Sequence, residues 1–294
     1  MTGNGREMAK ITVGVPVYNS SSLLAECLDC LVNQTLTNIE ILIFDNASTD
    51  STPDIARAYA ERDPRIKYVR QTQNVGPMRN FLDVADACKT EYFCWRAYDD
   101  LSSPDYLEKL HEALEANPHA DLAVGRIATS MNGKAPDFAR QMPQLTGRPM
   151  EDIRCQLSRT NGCALYGVWR TDVVRSLFSE VVNEYQAAWA SDHLLISSIL
   201  LKRSFVLVSE VTFIQRYFTT MEKSYSRPDM STMRKLRRVY YRIVSRHIDE
   251  MEFSPMERLR VKYYAWLSMG KAIFPFRRMV IHTIRAPIYK LFGR

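Results

Sequence analysis

Polar and acidic residues stand at the ends of four successive strand-like segments: ITVGVPVYN, IEILIFDNAS, IKYVR and YFCWRAYDD. They are, in chain order, Asn19, then Asp45, then Asn74 with Gly76, then Asp99 with Asp100. In an open sheet of parallel strands, the carboxyl ends of the strands meet at one crevice, where ligands bind. Any one of these carboxylates can instead be solvated or cap the next helix. Their regular placement favours a shared ligand site.

Helix-like segments alternate with these strands, and the helices and strands together must position the polar residues. The strands are continuous apolar runs, which is typical of a sheet covered on both faces. The β-α-β-α-β order therefore predicts an α/β fold with a parallel or mixed sheet flanked by helices. A strand over residues 121–130, a Gly-, Pro- and Met-rich stretch to residue 150, helices over 151–159 and 192–202, and the strand SFVLVSEVTFIQRYF follow. A loop as long as this Met-rich stretch is typical of a lid or a binding loop.

The 294 residues are enough for one large α/β domain, alone or with an appendage. No apolar run of about 20 residues predicts a transmembrane helix, and the N-terminal residues lack the apolar core of a secretory signal. We therefore expect a cytoplasmic protein.

Cys27 and Cys30 have the C-x-x-C spacing of zinc and redox sites. They lie in an apolar helix pattern with no second pair nearby, which favours buried thiols.

Charge divides the chain into an acidic body and a basic tail. Residues 227–294 contain 16 Lys and Arg against 5 Asp and Glu, and residues 1–226 contain 23 against 28. The tail begins with an amphipathic helix pattern that favours packing against the body, and a capping-box sequence, Ser254 to Glu257, opens a second helix. Residues 271–294 combine large apolar side chains with six Lys and Arg, which favours attachment to an anionic membrane surface. We expect no nucleic-acid partner.

Two long segments together resemble family 2 glycosyltransferases. They are VGVPVYNSSSLLAECLDCLVNQTLTNIEILIFDNASTDST and NVGPMRNFLDVADACKTEYFCWRAYDD, and the similarity extends over roughly residues 11–226. The resemblance implies a GT-A fold, which is a Rossmann-like mixed and mainly parallel sheet flanked by helices. It also implies an inverting enzyme that uses a nucleotide sugar. We therefore expect a GT-A domain over residues 1–226 and a basic helical region over residues 227–294.

The resemblance assigns residues to a nucleotide pocket. Asp45 would accept a hydrogen bond from the pyrimidine, Tyr18 would pack beside the base, and the remaining members of the set are Pro16, Asn19, Asn74, Gly76, Arg79 and Asp99. Gly76 and the proline after it also fit a simple turn, so that this part of the assignment stays open.

The acidic motif departs from the family pattern. Relatives often have D-x-D-D here, but Ala97 replaces the first acid, leaving Asp99 as the implied ligand of Mn²⁺ or Mg²⁺. One protein carboxylate can suffice when phosphates and water complete the coordination shell. The loss of the first acid weakens the metal prediction and leaves the fold prediction intact. Asp100 can instead cap the helix that begins near residue 104.

Asp192, in AWASDHLLISSILL, matches the acid that serves relatives as the catalytic base, although Ser191 replaces the acid that often precedes it. A base is needed because an acceptor hydroxyl is a poor nucleophile until its proton is removed. The alternative is a helix N-terminal residue favoured by the helix dipole. His193 is expected to be a packing residue. Arg216 is a candidate diphosphate contact or an ordinary surface arginine.

The sequence therefore predicts inverting transfer of a sugar, most simply from a UDP-sugar, to a glycan or lipid-linked acceptor in cell-surface polysaccharide or glycoconjugate synthesis. A catalytically silent nucleotide-sugar or glycan-binding module is the alternative, favoured by Ala97. A nucleotidyltransferase would need a glycine-rich, Lys-containing phosphate loop after the first strand. Residues 17–20, Val-Tyr-Asn-Ser, do not form one.

Overall fold

A computed structural model describes residues 9–138, 141–219 and 228–269. The strands are β1 (Ile11–Val17), β2 (Ile39–Asp45), β3 (Ile66–Arg70), β4 (Tyr92–Trp95), β5 (Leu101–Ser102), β6 (Leu122–Met131), β7 (Val168–Arg170) and β8 (Phe205–Tyr217). The α-helices are α1 (Leu24–Val32), α2 (Thr52–Arg62), α3 (Pro77–Ala87), α4 (Tyr106–Ala116), α5 (Pro149–Ser158), α6 (Thr171–Glu180), α7 (Ser191–Lys202), α8 (Met230–Asp249) and α9 (Pro255–Ser268). A 3₁₀ helix covers Gly162–Tyr166, and a π-helical turn covers Val181–Tyr185.

The described strands form one mixed sheet in the order β3-β2-β1-β4-β7-β6-β8-β5. Strands β1, β2, β3 and β4 pair in parallel, and β6 pairs in parallel with β8. The short strands β5 and β7 pair antiparallel with their neighbours. All seven residues of β1 are buried because helices cover both faces of the sheet. The predicted mixed, mainly parallel sheet is confirmed.

The apolar residues of helix α1 form its buried face. Its buried residues Leu24, Cys27, Leu28 and Leu31 recur at helical spacing and face the sheet. Burial raises the pKa of the Cys27 thiol far above its ordinary range, so that this thiol is neutral at physiological pH. Cys27 and Cys30 are both free, and Cys30 is half-buried. The pair therefore packs as thiols against the core.

Among the α-helices and strands of the described residues, three were not predicted from the sequence: α6, β5 and β7. Strands of two and three residues are too short to show a period of two. Helix α6 follows β7 without an intervening turn residue, so no Gly or Pro marks its beginning.

Helices α8 and α9 pack on the body of the protein. The Tyr240 hydroxyl lies 2.7 Å from that of Ser197, and His247 Nδ1 lies 2.8 Å from Ser198 Oγ, which fastens α8 to α7. Helix α9 begins with the predicted capping box between Ser254 and Glu257. The expected boundary at residue 226 lies outside the described residues, and the division into two regions stays a prediction. Residues 271–294 also lie outside them.

None of the helices in the described ranges is both long and apolar enough to span a bilayer.

Candidate active site

The loop after β1 is tied to the loop after β2 by Asn19. Its backbone is in the left-handed region, with φ of 49°, which asparagine tolerates better than most residues. The Asn19 side chain accepts a hydrogen bond from Thr49 N at 2.8 Å, and Asn19 N donates to Ser48 Oγ at 3.0 Å. Asn19 therefore holds the loop after β1 against the loop after β2. Beside it, Tyr18 is 46% exposed, whereas Pro16 is buried within β1.

Asp45 is completely buried at the end of β2. Its Oδ1 accepts from Ser48 N at 2.8 Å, and its Oδ2 accepts from the Tyr68 hydroxyl at 2.6 Å. Burial and this hydrogen bond raise the pKa of Tyr68 to about 12. Asp45 thus organises the loop after β2 from inside. Its assignment to the base stays a prediction, and both carboxylate oxygens already have protein donors.

Asn46 is a site-forming residue that the sequence reasoning missed. Its Nδ2 donates to Asn74 Oδ1 at 2.9 Å, and its Oδ1 accepts from Val75 N at 2.7 Å. Asn74 Oδ1 also accepts from Gly76 N at 2.8 Å. Asn46 therefore sets the loop before α3, where Gly76 has φ of 83°, a conformation that favours glycine. Its position directly after Asp45 in the strand-end motif was the available signal.

Arg79 lies on the exposed side of α3. Its Nε is 2.6 Å from Asp83 Oδ1, and its side chain is about half exposed. The structure therefore leaves Arg79 at the surface in a local ion pair, and its assignment to the base and ribose stays a prediction.

Asp99 and Asp100 follow β4 and differ in how deeply they are buried. Asp100 is buried, and its Oδ1 accepts from Arg216 N at 2.8 Å. Burial, and then the neighbouring Asp99 charge, raise the pKa of Asp100. Burial also raises the pKa of Asp99, which is only partly enclosed. Asp100 therefore anchors the end of β8, and Asp99 is the carboxylate of the pair that keeps some exposure to solvent.

Arg216 joins three elements at this edge. Its Nε donates to the Asp99 main-chain carbonyl, and its Nη1 pairs with Glu26 on α1. Its Nη2 is buried with no hydrogen-bond partner among the described residues. A buried donor without a partner costs free energy, so a ligand that accepts from Nη2 would stabilise this arrangement. Glu26 was not predicted because only the tertiary fold brings α1 beside β8.

Arg96 is a second arginine that the sequence reasoning missed. It is fully buried, with its guanidinium carbon 5.5 Å from the Tyr106 ring centre and 5.3 Å from that of Phe213. Its Nη2 donates to Ser102 Oγ at 3.0 Å. This cation lies behind the acidic strand end and lowers the cost of burying Asp100.

Asp192 lies in the first turn of α7, where the helix dipole favours a carboxylate. Its Oδ1 accepts from His193 N at 2.8 Å, and its Oδ2 faces Gly162. His193 is half-buried, with Nδ1 3.0 Å from Thr160 Oγ1, which agrees with a packing role.

A chain of contacts connects Asp192 with the acidic strand end. Cys163, which follows Gly162, donates from Sγ to Gln215 Oε1 at 2.9 Å, and Gln215 precedes Arg216 in β8. Burial raises the pKa of the Tyr166 hydroxyl, and so do the charges of Asp100, Asp99 and Asp192. The charges of all three acids therefore act on the same hydroxyl. The structure brings the predicted base, the predicted metal ligand and Arg216 to the same end of β8.

The donor set suits a divalent cation held by few protein ligands. Within residues 9–138, 141–219 and 228–269, no group of three or more His, Cys, Asp or Glu is placed to hold a metal ion. Asp99 offers carboxylate oxygens, and burial disfavours its charge, which a bound cation would offset. A site of this kind needs oxygens from a second ligand, such as a diphosphate, to complete it.

Comparison with known proteins shows the family to which the chain belongs. The family described as Glycosyl transferase family 2 matches residues 12–177, more than half of the chain. The chain is 35% identical over 134 residues to the putative glycosyltransferase EpsH of Bacillus subtilis, covering 45% of this chain and 38% of EpsH. It is 34% identical over 128 residues to the poly(ribitol-phosphate) beta-glucosyltransferase of Bacillus spizizenii, covering 42% of this chain and 20% of that protein. The chain thus spans less than two fifths of the length of these relatives.

Solved structures show the same fold. Residues 1–349 of Staphylococcus aureus TarS, in complex with UDP-GlcNAc, superpose with a TM-score of 0.67 at 18% identity. That superposition covers 90% of this chain and 73% of the TarS chain. The mannosyltransferase PcManGT of Pyrobaculum calidifontis, in complex with GDP-Man and Mn²⁺, gives a TM-score of 0.50 at 17% identity, covering 98% and 83%. The chain therefore belongs to glycosyl transferase family 2 and has a GT-A fold.

Proposed function

We propose that this protein transfers a sugar from a UDP-sugar to a hydroxyl of a glycan or lipid-linked acceptor, with inversion, in the synthesis of a cell-surface polysaccharide or glycoconjugate. The observation that carries the proposal is the chain of contacts that links Asp192, through Gly162, Cys163 and Gln215, with Arg216 and Asp99 at the end of β8. Family membership supports glycosyl transfer. The UDP-GlcNAc complex of TarS and the poly(ribitol-phosphate) activity named for one relative support the donor and the kind of product.

The proposed reaction is a single displacement at the anomeric carbon. Asp192 accepts the proton of the acceptor hydroxyl as its oxygen forms a bond to that carbon. The bond from the carbon to the diphosphate oxygen breaks on the opposite face, and its electron pair stays on the departing UDP. Attack from the far face inverts the anomeric configuration.

The developing charge on the diphosphate needs a fixed positive partner. Arg216 is held by the Asp99 carbonyl and by Glu26 and has the buried donor Nη2 without a partner among the described residues, so a small shift that uncovers Nη2 would let it donate to the diphosphate. Asp99 would hold Mn²⁺ or Mg²⁺ through its carboxylate, and a divalent ion there would further offset diphosphate charge.

A donor screen tests the proposed function. The purified chain is incubated with UDP-glucose, UDP-galactose, UDP-GlcNAc or GDP-mannose, with and without Mn²⁺, and with water or added oligosaccharides as acceptors. Released nucleoside diphosphate is measured. We expect release from one or more UDP-sugars and a loss of roughly 100- to 10,000-fold in Asp192→Asn, as for removal of a general base. Equal release by Asp192→Asn would refute Asp192 as the base.

A catalytically silent binding module is the second candidate, because Ala97 stands where relatives often have an acid. It predicts that calorimetry detects UDP binding while every donor in the screen stays intact. Glycosyl transfer predicts both binding and release.

Attachment to an anionic membrane is proposed for residues 271–294, which lie outside the described residues. The preceding helix α9 supports it, because Met256, Leu259, Tyr263 and Trp266 are exposed along one side of that helix. The full chain should sediment with phosphatidylglycerol-containing liposomes, less so in high salt, and a chain ending at residue 270 should not. Sedimentation of the shortened chain would contradict the assignment to residues 271–294. We further propose that the protein is cytoplasmic and attaches to the inner face of the membrane.

A further inference from the structure

Gly162 lies directly against the Asp192 carboxylate. A Cβ built on Gly162 would stand 1.9 Å from Asp192 Oδ2 and 2.7 Å from Asp192 Cγ. Non-bonded heavy atoms rest at roughly 3.5 Å, so any residue other than glycine would displace this carboxylate by about 1 Å or more.

The backbone conformation of Gly162 does not itself require a glycine. Gly162 is not among the residues with positive φ, unlike Gly76. It begins the 3₁₀ helix Gly162–Tyr166, where the preceding Asn161 accepts from Cys163 N at 3.0 Å. An alanine is compatible with this backbone conformation. What requires glycine at this position is the space that the Asp192 carboxylate occupies.

The opposite side of the carboxylate is also fixed. Asp192 Oδ1 accepts from His193 N, and Gly162 lies against Oδ2. Asp192 follows Ala190 and Ser191, and Ala190 has φ of 65°, which turns the chain into α7. The carboxylate is thus held between the start of α7 and the 3₁₀ helix.

We infer that Gly162 is a positioning residue that sets the carboxylate of Asp192 for proton removal from the acceptor hydroxyl. This inference rests on the proposed role of Asp192 as the base. The nearest atoms to the added Cβ all belong to the Asp192 side chain. Because that side chain can rotate away, Gly162→Ala should fold normally and lose catalysis, since a displacement of 1 Å can cost about 100-fold in rate.

The test combines Gly162→Ala, Asp192→Asn and the double variant. Turnover is measured with the UDP-sugar that the donor screen selects, and UDP affinity is measured by calorimetry. We expect kcat to fall by about 100-fold in Gly162→Ala. The donor KM, the UDP Kd and the melting temperature should stay close to those of the parent. In the Asp192→Asn background, adding Gly162→Ala should cause no further loss of kcat, because the two changes act on one group.

A crystal structure of Gly162→Ala supplies a measurement that does not depend on turnover. Asp192 Oδ2 should be displaced by about 1 Å or more from its place beside residue 162. An undisplaced carboxylate, or parental kcat in Gly162→Ala while Asp192→Asn is inactive, would overturn the positioning role and leave the proposed function standing. Parental kcat in Asp192→Asn would instead overturn the proposed base.

Discussion

Replacing Arg216 by glutamine separates binding of the diphosphate from binding of the nucleoside. The change removes the positive charge and the buried Nη2 donor that has no hydrogen-bond partner among the described residues. A hydrogen bond to a charged group contributes about 1.5–3 kcal/mol. If Nη2 donates to the diphosphate, the Kd for UDP should rise by about 10- to 150-fold, since each 1.4 kcal/mol is a factor of ten.

Uridine provides the ligand control, because it has the base and ribose without phosphate. Calorimetry at one Mn²⁺ concentration should give an unchanged Kd for uridine in Arg216→Gln. Glu26→Gln is the matched protein control. It removes the ion pair with Arg216, in which the Glu26 side chain is 57% exposed, and keeps the arginine. The Arg216 side chain is only 10% exposed, but the glutamine oxygen can still accept a hydrogen bond from its Nη1, so Glu26→Gln should leave UDP affinity within a few-fold of the parent.

The ratio of the two dissociation constants decides the outcome. A diphosphate contact lowers the preference for UDP over uridine in Arg216→Gln alone. If both ligands weaken equally, or if neither does, Arg216 is a structural link between Asp99 and Glu26 and has no direct role in binding.

Three further changes test individual carboxylates. Asp99→Asn should abolish turnover and the Mn²⁺-dependent part of UDP binding, with little change in melting temperature. If the variant binds UDP with the same Mn²⁺ dependence as the parent, Asp99 is not the metal ligand. Asp45→Asn replaces one of the two carboxylate acceptors, which serve Ser48 N and the Tyr68 hydroxyl, with an amide donor, and should lower the free energy of unfolding by about 1–3 kcal/mol in urea titrations. Burial raises the pKa of Asp152, but hydrogen bonds from Thr146 and its neighbour outweigh this and lower it below 3.8. The stabilisation from Asp152 is therefore complete above pH 3.8 and is lost as pH falls through the lower folded value. The stability difference between parent and Asp152→Asn should thus shrink below pH 4, and a constant difference would contradict it.

Much of the fold follows from the sequence because its signals are local. The apolar run of β2 and the helical spacing of Leu24 and Leu28 in α1 predict a covered sheet flanked by helices. Chain connectivity then places Asp45 and Asp99 at strand ends on one side. The order and types of these residues also determined the family resemblance.

The sequence could not decide which of the strand-end groups face a ligand and which support the site from within. The tertiary structure turns Asp45 into the interior and gives both its oxygens protein partners. It brings Arg216 onto Asp100, which is 116 residues earlier in the chain. Such contacts depend on how β8 lies between β5 and β6, and no local pattern of residues encodes that register.

The environment of Asp192 shows the same division. The sequence alone shows that Asp192 is an acid at the start of an apolar helix. It does not show that position 162 requires glycine, because that requirement arises where a 3₁₀ helix meets the first turn of α7. Sequence determined which side chains this protein has for chemistry at its strand and helix ends. Only packing between distant segments decided their spacing, because contact distances of a few ångströms are set by the whole fold.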